Sequence, residues 1–172
     1  MEKVYDLLAL DPEKKGAYEK CWQIPLSYTT TKNLKFDEIS PSIWSVCDES
    51  VEFPTGDLDP DDWVLVNLEL NVPGRVMYEQ ENWINIQNYL LDKEEYENIS
   101  VLTRVRVVSD MFSLAEAGIL SYQFVFQTIV YLEHEEAYAV WNVAFKEIDK
   151  IRSLLLRTDI FKAYQDSIDD SS

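Results

Sequence analysis

The stretch that decides the fold runs from Leu102 to Trp141 and reads LTRVRVVSDMFSLAEAGILSYQFVFQTIVYLEHEEAYAVW. Around its first half, apolar residues recur at three- and four-residue steps, as one buried stripe of a helix requires. This stripe consists of Val101, Val105, Val108, Phe112 and Ala115. The pattern predicts a helix from Val101 to Ala117 with one solvated face.

Small residues mark the ends of the predicted helices. Gly118 supplies the left-handed position that ends a helix, and Ser100 and Ser121 stand where a side-chain oxygen can cap a helix N-terminus. The helix after Ser121 has its own apolar stripe, which is Tyr122, Val125, Phe126, Ile129 and Leu132. Because the link between the two helices is short, we expect them to pack antiparallel.

Helical periodicity continues on both sides of this hairpin. It begins at Gln80 with a stripe of Trp83, Ile86, Gln87, Leu90 and Leu91. After the hairpin a longer helix has the apolar side Val140, Trp141, Ala144, Phe145, Ile148, Ile151 and Leu155. A last amphipathic piece contains Phe161, Tyr164 and Ile168. Residues 80–172 are therefore predicted to be an antiparallel α-helical array.

The first 79 residues have β character. Short runs of β-branched and aromatic residues alternate with turn signals such as Asp-Pro, Ser-Pro and Pro-Gly. The runs are Val4–Leu10, Cys21–Thr30, Trp44–Cys47, Ser50–Phe53, Trp63–Leu70 and Arg75–Tyr78. We predict a small antiparallel, Ig-like β-sandwich over residues 1–79, so that the fold class is α+β in two parts.

One predicted strand and the turn after it give testable detail. In Trp63–Leu70, side-chain alternation places Val64, Val66, Leu68 and Leu70 on the core face. Residues 72–75 suit a type II turn, which would make a hairpin with Arg75–Tyr78. In that hairpin Val76 is expected to point inward.

Composition excludes several classes of protein. The chain has 172 residues, 47% hydrophobic and 13% aromatic, which suits a globular core. Its net charge of −17, with no basic patch, argues against nucleic acid as a partner. The N-terminal residues lack the pattern of a signal peptide, and no apolar run is long enough for a transmembrane segment.

The sequence motifs resemble those of the zinc aminopeptidases related to aminopeptidase N. Trp22–Thr30 looks like the family's W-x-I-P-L-x-Y-T-T strand. Other matching pieces are Trp63 to Asn67, Arg75 to Tyr78 with Asn82-Trp83, the Arg104 to Tyr122 region, and Tyr131-Leu132 with Glu135, Tyr138 and Trp141. The resemblance runs from about Leu7 to about Tyr164 and is strongest to the insect-type aminopeptidases N. It departs where two aromatic residues are missing after Gly74 and where Met77 replaces an asparagine.

This resemblance implies an Ig-like β-sandwich followed by the opening helices of the ERAP1-like C-terminal helical domain, which form the start of an α-solenoid. In the family the catalytic zinc domain precedes this region, and further helices follow it. The chain is therefore expected to be a non-catalytic C-terminal region that shapes or closes the peptide-substrate chamber of a parent enzyme. The alternative is a stand-alone, catalytically inactive binding module. The family implies an extracellular or plasma-membrane-anchored location.

Catalytic chemistry has little support in the residues themselves. His134 is the single histidine, and His134-Glu135 begins an H-E-x-x-H pattern whose last position is Tyr138. A catalytic zinc needs three protein ligands, and no G-A-M-E-N loop occurs. We expect no peptidase activity and no cofactor in this chain, with zinc belonging to the parent family, and interpret His134 as an exposed polar residue.

The polar residues Arg104, Arg106 and Asp110 form the most distinctive charged group. We predict that Arg104 and Asp110 bond across the interface between the sandwich and the helices, with contact between this charged group and a peptide ligand as the less favoured alternative. Asn98-Ile99-Ser100 is a sequon for N-glycosylation, which chance occurrence explains equally well. The thiols of Cys21 and Cys47 would pair only if their strands are neighbours, and two partly buried free thiols are the favoured alternative.

The carboxyl end is expected to need a partner. Apolar residues of the last helices lack neighbours that would cover them, and they are Ile151, Leu154, Leu155, Phe161 and Ile168. We expect this face to meet the parent catalytic domain, the remaining C-terminal helices or a second copy of the chain.

Overall fold

The computed structural model describes residues 6–7, 23–38, 40–41, 43–45 and 52–156. The strands are β1 (Asp6–Leu7), β2 (Ile24–Leu26), β3 (Tyr28–Thr30), β4 (Ile43–Ser45), β5 (Val64–Val66) and β6 (Val76–Met77). The helices are α1 (Gln80–Leu91), α2 (Val101–Glu116), α3 (Tyr122–Thr128) and α4 (Tyr138–Leu155). Short 3₁₀ helices cover Tyr96–Asn98 and Ile129–His134, and Leu68–Leu70 forms a turn with non-helical backbone angles. The α+β class is confirmed, while Cys21, Cys47, Phe161, Tyr164 and Ile168 lie outside the described residues.

Within the described part of the chain, the strands pair two by two and antiparallel. β1 pairs with β6, β2 with β4, and β3 with β5. The predicted hairpin between Trp63–Leu70 and Arg75–Tyr78 is wrong, because Val76 lies opposite Leu7. The inward direction of Val76 is confirmed, since only 1% of this residue is exposed.

The chain changes direction directly after β5. Asn67, Glu69 and Leu70 adopt left-handed backbone angles, with φ of 60°, 56° and 57°. The predicted strand Trp63–Leu70 therefore ends at Val66, and Leu70, expected in the core, is 49% exposed. Gly74 has φ 155°, far from the value of about +80° that a type II turn requires, so that predicted turn is also wrong.

The side chain of Asn67 holds the irregular loop after β5 together. Its Nδ2 donates to the carbonyl oxygen of Val72 at 2.8 Å, and its Oδ1 accepts from the Val72 N–H at 2.9 Å. Asparagine tolerates the left-handed region better than most residues, because its short amide can bond to nearby backbone. The loop is thus closed by one buried amide.

β5 is buried on both faces. Trp63 and Leu65, which alternation placed toward solvent, are fully buried, as is Val64. The ring of Trp63 meets that of Tyr89 from α1 edge to face, with centroids 5.1 Å apart. The predicted solvated face is wrong because the helical part covers it.

Two side chains cover the edge of β5 that does not pair with β3. The amide of Asn82 donates to the carbonyl oxygen of Val64 at 2.9 Å and accepts from its N–H at 2.8 Å. The hydroxyl of Tyr78 accepts from the N–H of Val66 at 3.1 Å. A side-chain amide and a phenol thus take the place of a further strand, and Asn82 attaches α1 directly to β5.

The predicted signals at the helix ends are confirmed. Ser100 accepts from the Thr103 N–H at the start of α2, and Ser121 accepts from the Phe124 N–H at the start of α3. Gly118 is left-handed with φ 73°, and the Ile119 N–H bonds to the Leu114 carbonyl oxygen at 2.8 Å. This is the Schellman arrangement that ends a helix.

The buried faces of the helices differ from the predicted stripes. α2 packs against α4 and buries Arg104, Arg106 and Asp110 as well as its apolar residues. The single solvated face predicted for it is present and runs along Leu102, Val105, Ser109, Ser113 and Glu116. Several residues expected in the core are exposed instead, and they are Leu91, Val101, Tyr122, Phe126, Phe145 and Leu155. The division of the chain at residue 79 stays a prediction.

Replacing Leu70 with glycine is expected to raise the free energy of unfolding by about 1 kcal/mol. A left-handed conformation costs an ordinary L-residue about 1 to 2 kcal/mol, and glycine adopts it freely. Because Leu70 is half exposed, little apolar burial is lost with its side chain. Urea unfolding followed by tryptophan fluorescence measures the change.

The matched control for this substitution is Leu102→Gly. Leu102 is 43% exposed and lies in α2, where glycine is expected to cost about 1 kcal/mol. If Leu70→Gly destabilised the chain as much as Leu102→Gly, the left-handed turn after β5 would be contradicted.

Candidate functional site

The first polar cluster joins α2 to the start of α4. Arg104 Nε donates to Glu135 Oε2 at 2.7 Å, and Nη2 donates to Oε1 at 3.1 Å. Arg104 Nη1 donates to the carbonyl oxygen of Ile99, and the guanidinium lies 5.1 Å from the centroid of the Tyr96 ring. Both charged side chains are almost completely buried. This two-pronged pair is defined here as the Arg104–Glu135 clamp.

Glu135 also sets where α4 begins. Its Oε1 accepts from the Ala137 N–H at 2.8 Å, and its carbonyl oxygen accepts from Trp141 Nε1 at 2.9 Å. Because a buried carboxylate needs several donors, the Ala137 N–H and the two bonds from Arg104 compensate for its loss of water. One glutamate thus fixes α4 relative to α2.

The second cluster joins α2 to β6. Asp110 Oδ1 accepts from Arg75 Nη1 at 3.0 Å, and Oδ2 accepts from Arg106 Nη1 and from the Val76 N–H, both at 3.2 Å. Arg106 Nη2 donates to the Tyr78 hydroxyl at 3.2 Å. These residues and Asn82 are defined here as the strand–helix seam.

Burial controls the electrostatics of the seam. It raises the pKa of Asp110 above the ordinary value of 3.8, while the charges of Arg106 and Arg75 and the Val76 N–H oppose the shift. The folded chain therefore holds this proton more tightly than the unfolded chain. The contribution of Asp110 to stability falls as the pH rises from 3.8 through the higher pKa of the folded state.

Arg104, Arg106 and Asp110 do not form one charged group, as the sequence interpretation had it. Arg104 belongs to the clamp, and Arg106 and Asp110 belong to the seam. Asp110 does reach a strand residue, Val76, but Arg104 bonds to Glu135 just before α4 and not to a strand. Sequence reasoning missed Glu135, Arg75 and Asn82 as site residues. The signal was present, since each stands inside a family-like motif, although spacing alone does not show which side chains meet.

The described residues do not fit a zinc ion. His134 is half-buried, its Nε2 lies 3.1 Å from the Leu90 carbonyl oxygen, and its ring packs against Tyr96. Both Glu135 carboxylate oxygens accept hydrogen bonds from Arg104. No group of three or more His, Cys, Asp and Glu in residues 23–38, 40–41, 43–45 and 52–156 is placed to hold a metal ion. His134 was expected to be exposed, and this interpretation is corrected. The residue is half-buried, because its ring packs against Tyr96 and its Nε2 bonds to the Leu90 carbonyl oxygen.

Two tyrosines beside His134 offer a matched pair of substitutions. Tyr131 is fully buried, burial raises its pKa, and its hydroxyl has no hydrogen-bond partner in the part of the chain that the structure describes. Tyr96 donates to the His134 carbonyl oxygen at 2.7 Å. A buried polar group without a partner costs about 1 to 3 kcal/mol, whereas a made hydrogen bond contributes about 1 kcal/mol.

Tyr131→Phe is accordingly expected to leave the free energy of unfolding unchanged or to raise it by about 1 kcal/mol, and Tyr96→Phe to lower it by about 1 kcal/mol. Both are measured by urea unfolding. Equal losses for the two variants would show that the Tyr131 hydroxyl has a partner.

Apolar side chains are exposed on α3, α4 and the 3₁₀ helix between them. Phe126 is 44% exposed, Val130 58% and Phe145 59%. Also exposed are Ile119 just before α3, Tyr122 on α3, Tyr138, Leu154 and Leu155 on α4, and Leu156 just after α4; this set of side chains is called the apolar surface. Exposed apolar surface of this kind is typical of an interface. No helix among the described residues has both the length and the apolar content of a membrane span.

The chain matches known proteins over most of its length. Residues 63–170 match the model of the ERAP1-like C-terminal domain family. Aminopeptidase N of Plutella xylostella is 28% identical over 148 residues, which cover 84% of this chain and 15% of that protein. Aminopeptidase N of Bos taurus is 31% identical over 105 residues, or 61% of this chain and 11% of that protein. The thyrotropin-releasing hormone-degrading ectoenzyme of Mus musculus is 29% identical over 147 residues, or 86% and 13%.

The similarity is therefore to one part of much longer proteins. This chain spans 11–15% of the length of these three relatives.

Proposed function

Because the chain belongs to the ERAP1-like C-terminal domain family, we propose that it is the non-catalytic C-terminal region of a zinc aminopeptidase N-like protein. In this role it shapes or closes the chamber that holds the peptide substrate of the parent enzyme. The observation that carries the proposal is the match of residues 63–170 to that domain. The clamp and the seam support it, since both use buried charges to hold helices in place, and these charged side chains are engaged in bonds with each other.

The proposal includes architecture and location. The antiparallel strand pairs are part of an Ig-like β-sandwich, and α1 to α4 begin an α-solenoid whose later helices, or the catalytic domain, cover the apolar surface on α3 and α4. Relatives include a protein named an ectoenzyme, which supports an extracellular or membrane-anchored parent. Zinc belongs to the parent, because His134 and Glu135 are engaged in structural bonds.

Two measurements test this function. The purified chain with added zinc should not hydrolyse aminoacyl anilides, and zinc-dependent turnover by the native chain would contradict the proposal, whether or not a His134→Ala variant retains it. The transcript upstream of Met1 should contain an in-frame H-E-x-x-H motif. Untranslated sequence there would favour the second candidate.

The second candidate is a stand-alone, inactive binding module. The observation that favours it is the exposed apolar surface, which includes Phe126, Val130 and Phe145. Either candidate predicts that the isolated chain self-associates or binds a hydrophobic dye. A dilute sample that stays monomeric and binds no dye would contradict the need for a partner on this face.

A further inference from the structure

The sequon Asn98-Ile99-Ser100 is the single N-x-S/T sequence in the chain, and it lies at the surface between α1 and α2. Asn98 is exposed at the end of the 3₁₀ helix Tyr96–Asn98, while Ile99 beside it is fully buried. The acceptor side chain is therefore on the outside, and the residues that anchor the turn are on the inside. N-glycans are found at such surface connections.

The fold tolerates a sugar on Asn98. Its Nδ2 donates to Glu95 Oε2 at 2.8 Å and to the Tyr89 hydroxyl at 3.3 Å, and both bonds are exposed. A glycosidic bond replaces one of the two amide hydrogens, so one donor remains and the other partner is solvated. Because no buried group loses its partner, the cost to stability is small.

In the folded chain, the hydroxyl of Ser100, the third residue of the sequon, is already hydrogen-bonded. The Ser100 hydroxyl donates to Glu69 and caps α2 by accepting from the Thr103 N–H at 3.4 Å. Glycosyl transfer to a sequon requires this hydroxyl, so the folded arrangement withholds it. Transfer must therefore come before α2 packs onto the loop that contains Glu69.

We propose that Asn98 is an N-glycosylation site that is modified before α2 folds. The C–N bond forms between Asn98 Nδ2 and C1 of the first N-acetylglucosamine of a polyprenyl-diphosphate-linked oligosaccharide. The C1–O bond to the diphosphate breaks, the lipid diphosphate leaves with the electron pair, and Nδ2 loses one proton to a base. This proposal rests on the proposed function, in which the parent protein is extracellular. A glycan on Asn98 would mean that the α1–α2 connection faces solvent in that parent.

The test expresses the full chain with an added secretion leader in insect cells. A glycan should give a higher apparent mass that peptide-N-glycosidase removes, with Asn98 converted to aspartate in the mass spectrum. The shift should be lost in Asn98→Gln and kept in Ser100→Thr, which preserves both the sequon and the helix cap. A secreted chain with an unmodified Asn98 would overturn the proposal, and the leader makes this outcome independent of the parent's identity.

Timing is tested with microsomal oligosaccharyltransferase and chain purified from bacteria. Urea-unfolded chain diluted directly into the reaction should be modified, and chain folded beforehand should be modified at least tenfold less. Equal modification of the two samples would overturn the inferred order of events, and it would leave the transcript test of the proposed function unaffected.

Discussion

Replacing Glu135 with glutamine is expected to lower the free energy of unfolding by about 3 to 5 kcal/mol. The substitution leaves the buried Arg104 guanidinium without its counter-charge. It also places the glutamine NH₂ group, a donor, against one of the Arg104 N–H donors. It also weakens the bond from the Ala137 N–H that starts α4. Urea unfolding measures the loss, which is a large part of the total stability of an ordinary domain.

A neighbouring glutamate and a paired replacement serve as controls. Glu136 is exposed, so Glu136→Gln should change stability by less than about 0.5 kcal/mol. Replacing Arg104 and Glu135 together with methionine should cost less than Glu135→Gln alone, because no buried charge remains unpaired. Breaking a buried ion pair usually lowers the free energy of unfolding by about 3 kcal/mol or more. A loss below about 1 kcal/mol for Glu135→Gln would therefore contradict the clamp.

Replacing Asp110 with alanine is expected to lower the free energy of unfolding by about 3 kcal/mol or more. Three donors lose their acceptor, and they belong to Arg75, Arg106 and the Val76 backbone. Arg106 is only 1% exposed, so water cannot replace the carboxylate easily. The same urea titration gives the value.

Asparagine at position 110 separates hydrogen bonding from charge. Because burial raises the pKa of Asp110, a neutral side chain that keeps one accepting oxygen should cost less than alanine. Compared with Asp110→Asn, the native chain should lose stability as the pH rises from 3.8 through the folded pKa. Equal losses for asparagine and alanine would show that the ionic charge holds the seam.

Local chemistry explains which parts of the fold could be predicted. The ends of α2 depend on Ser100, whose hydroxyl caps the first turn, and on Gly118, whose backbone is left-handed. Both effects involve only neighbouring residues, so the sequence is enough to predict them. The start of α1 at Gln80 follows from a change of hydrophobic period that is equally local. Such features need no knowledge of the tertiary structure.

Features that depend on distant contacts could not be predicted in this way. Alternation in Trp63–Leu70 suggested one wet face, but Tyr89 of α1 packs on the ring of Trp63 on that side. Arg104 and Glu135 are 31 residues apart, and only the packing of α2 on α4 brings them together. The exposure of Phe126 and Phe145 follows from where neighbouring elements happen to lie, which periodicity does not contain.

The capping of β5 by Asn82 and Tyr78 bears on how this chain avoids aggregation. An apolar Val-Leu-Val strand with a free edge is a template on which another molecule can add in cross-β fashion. Here the outward N–H and C=O of Val64 and the N–H of Val66 are already bonded within the chain. These two motif residues therefore act as gatekeepers, and they prevent a neighbouring polypeptide from extending the sheet.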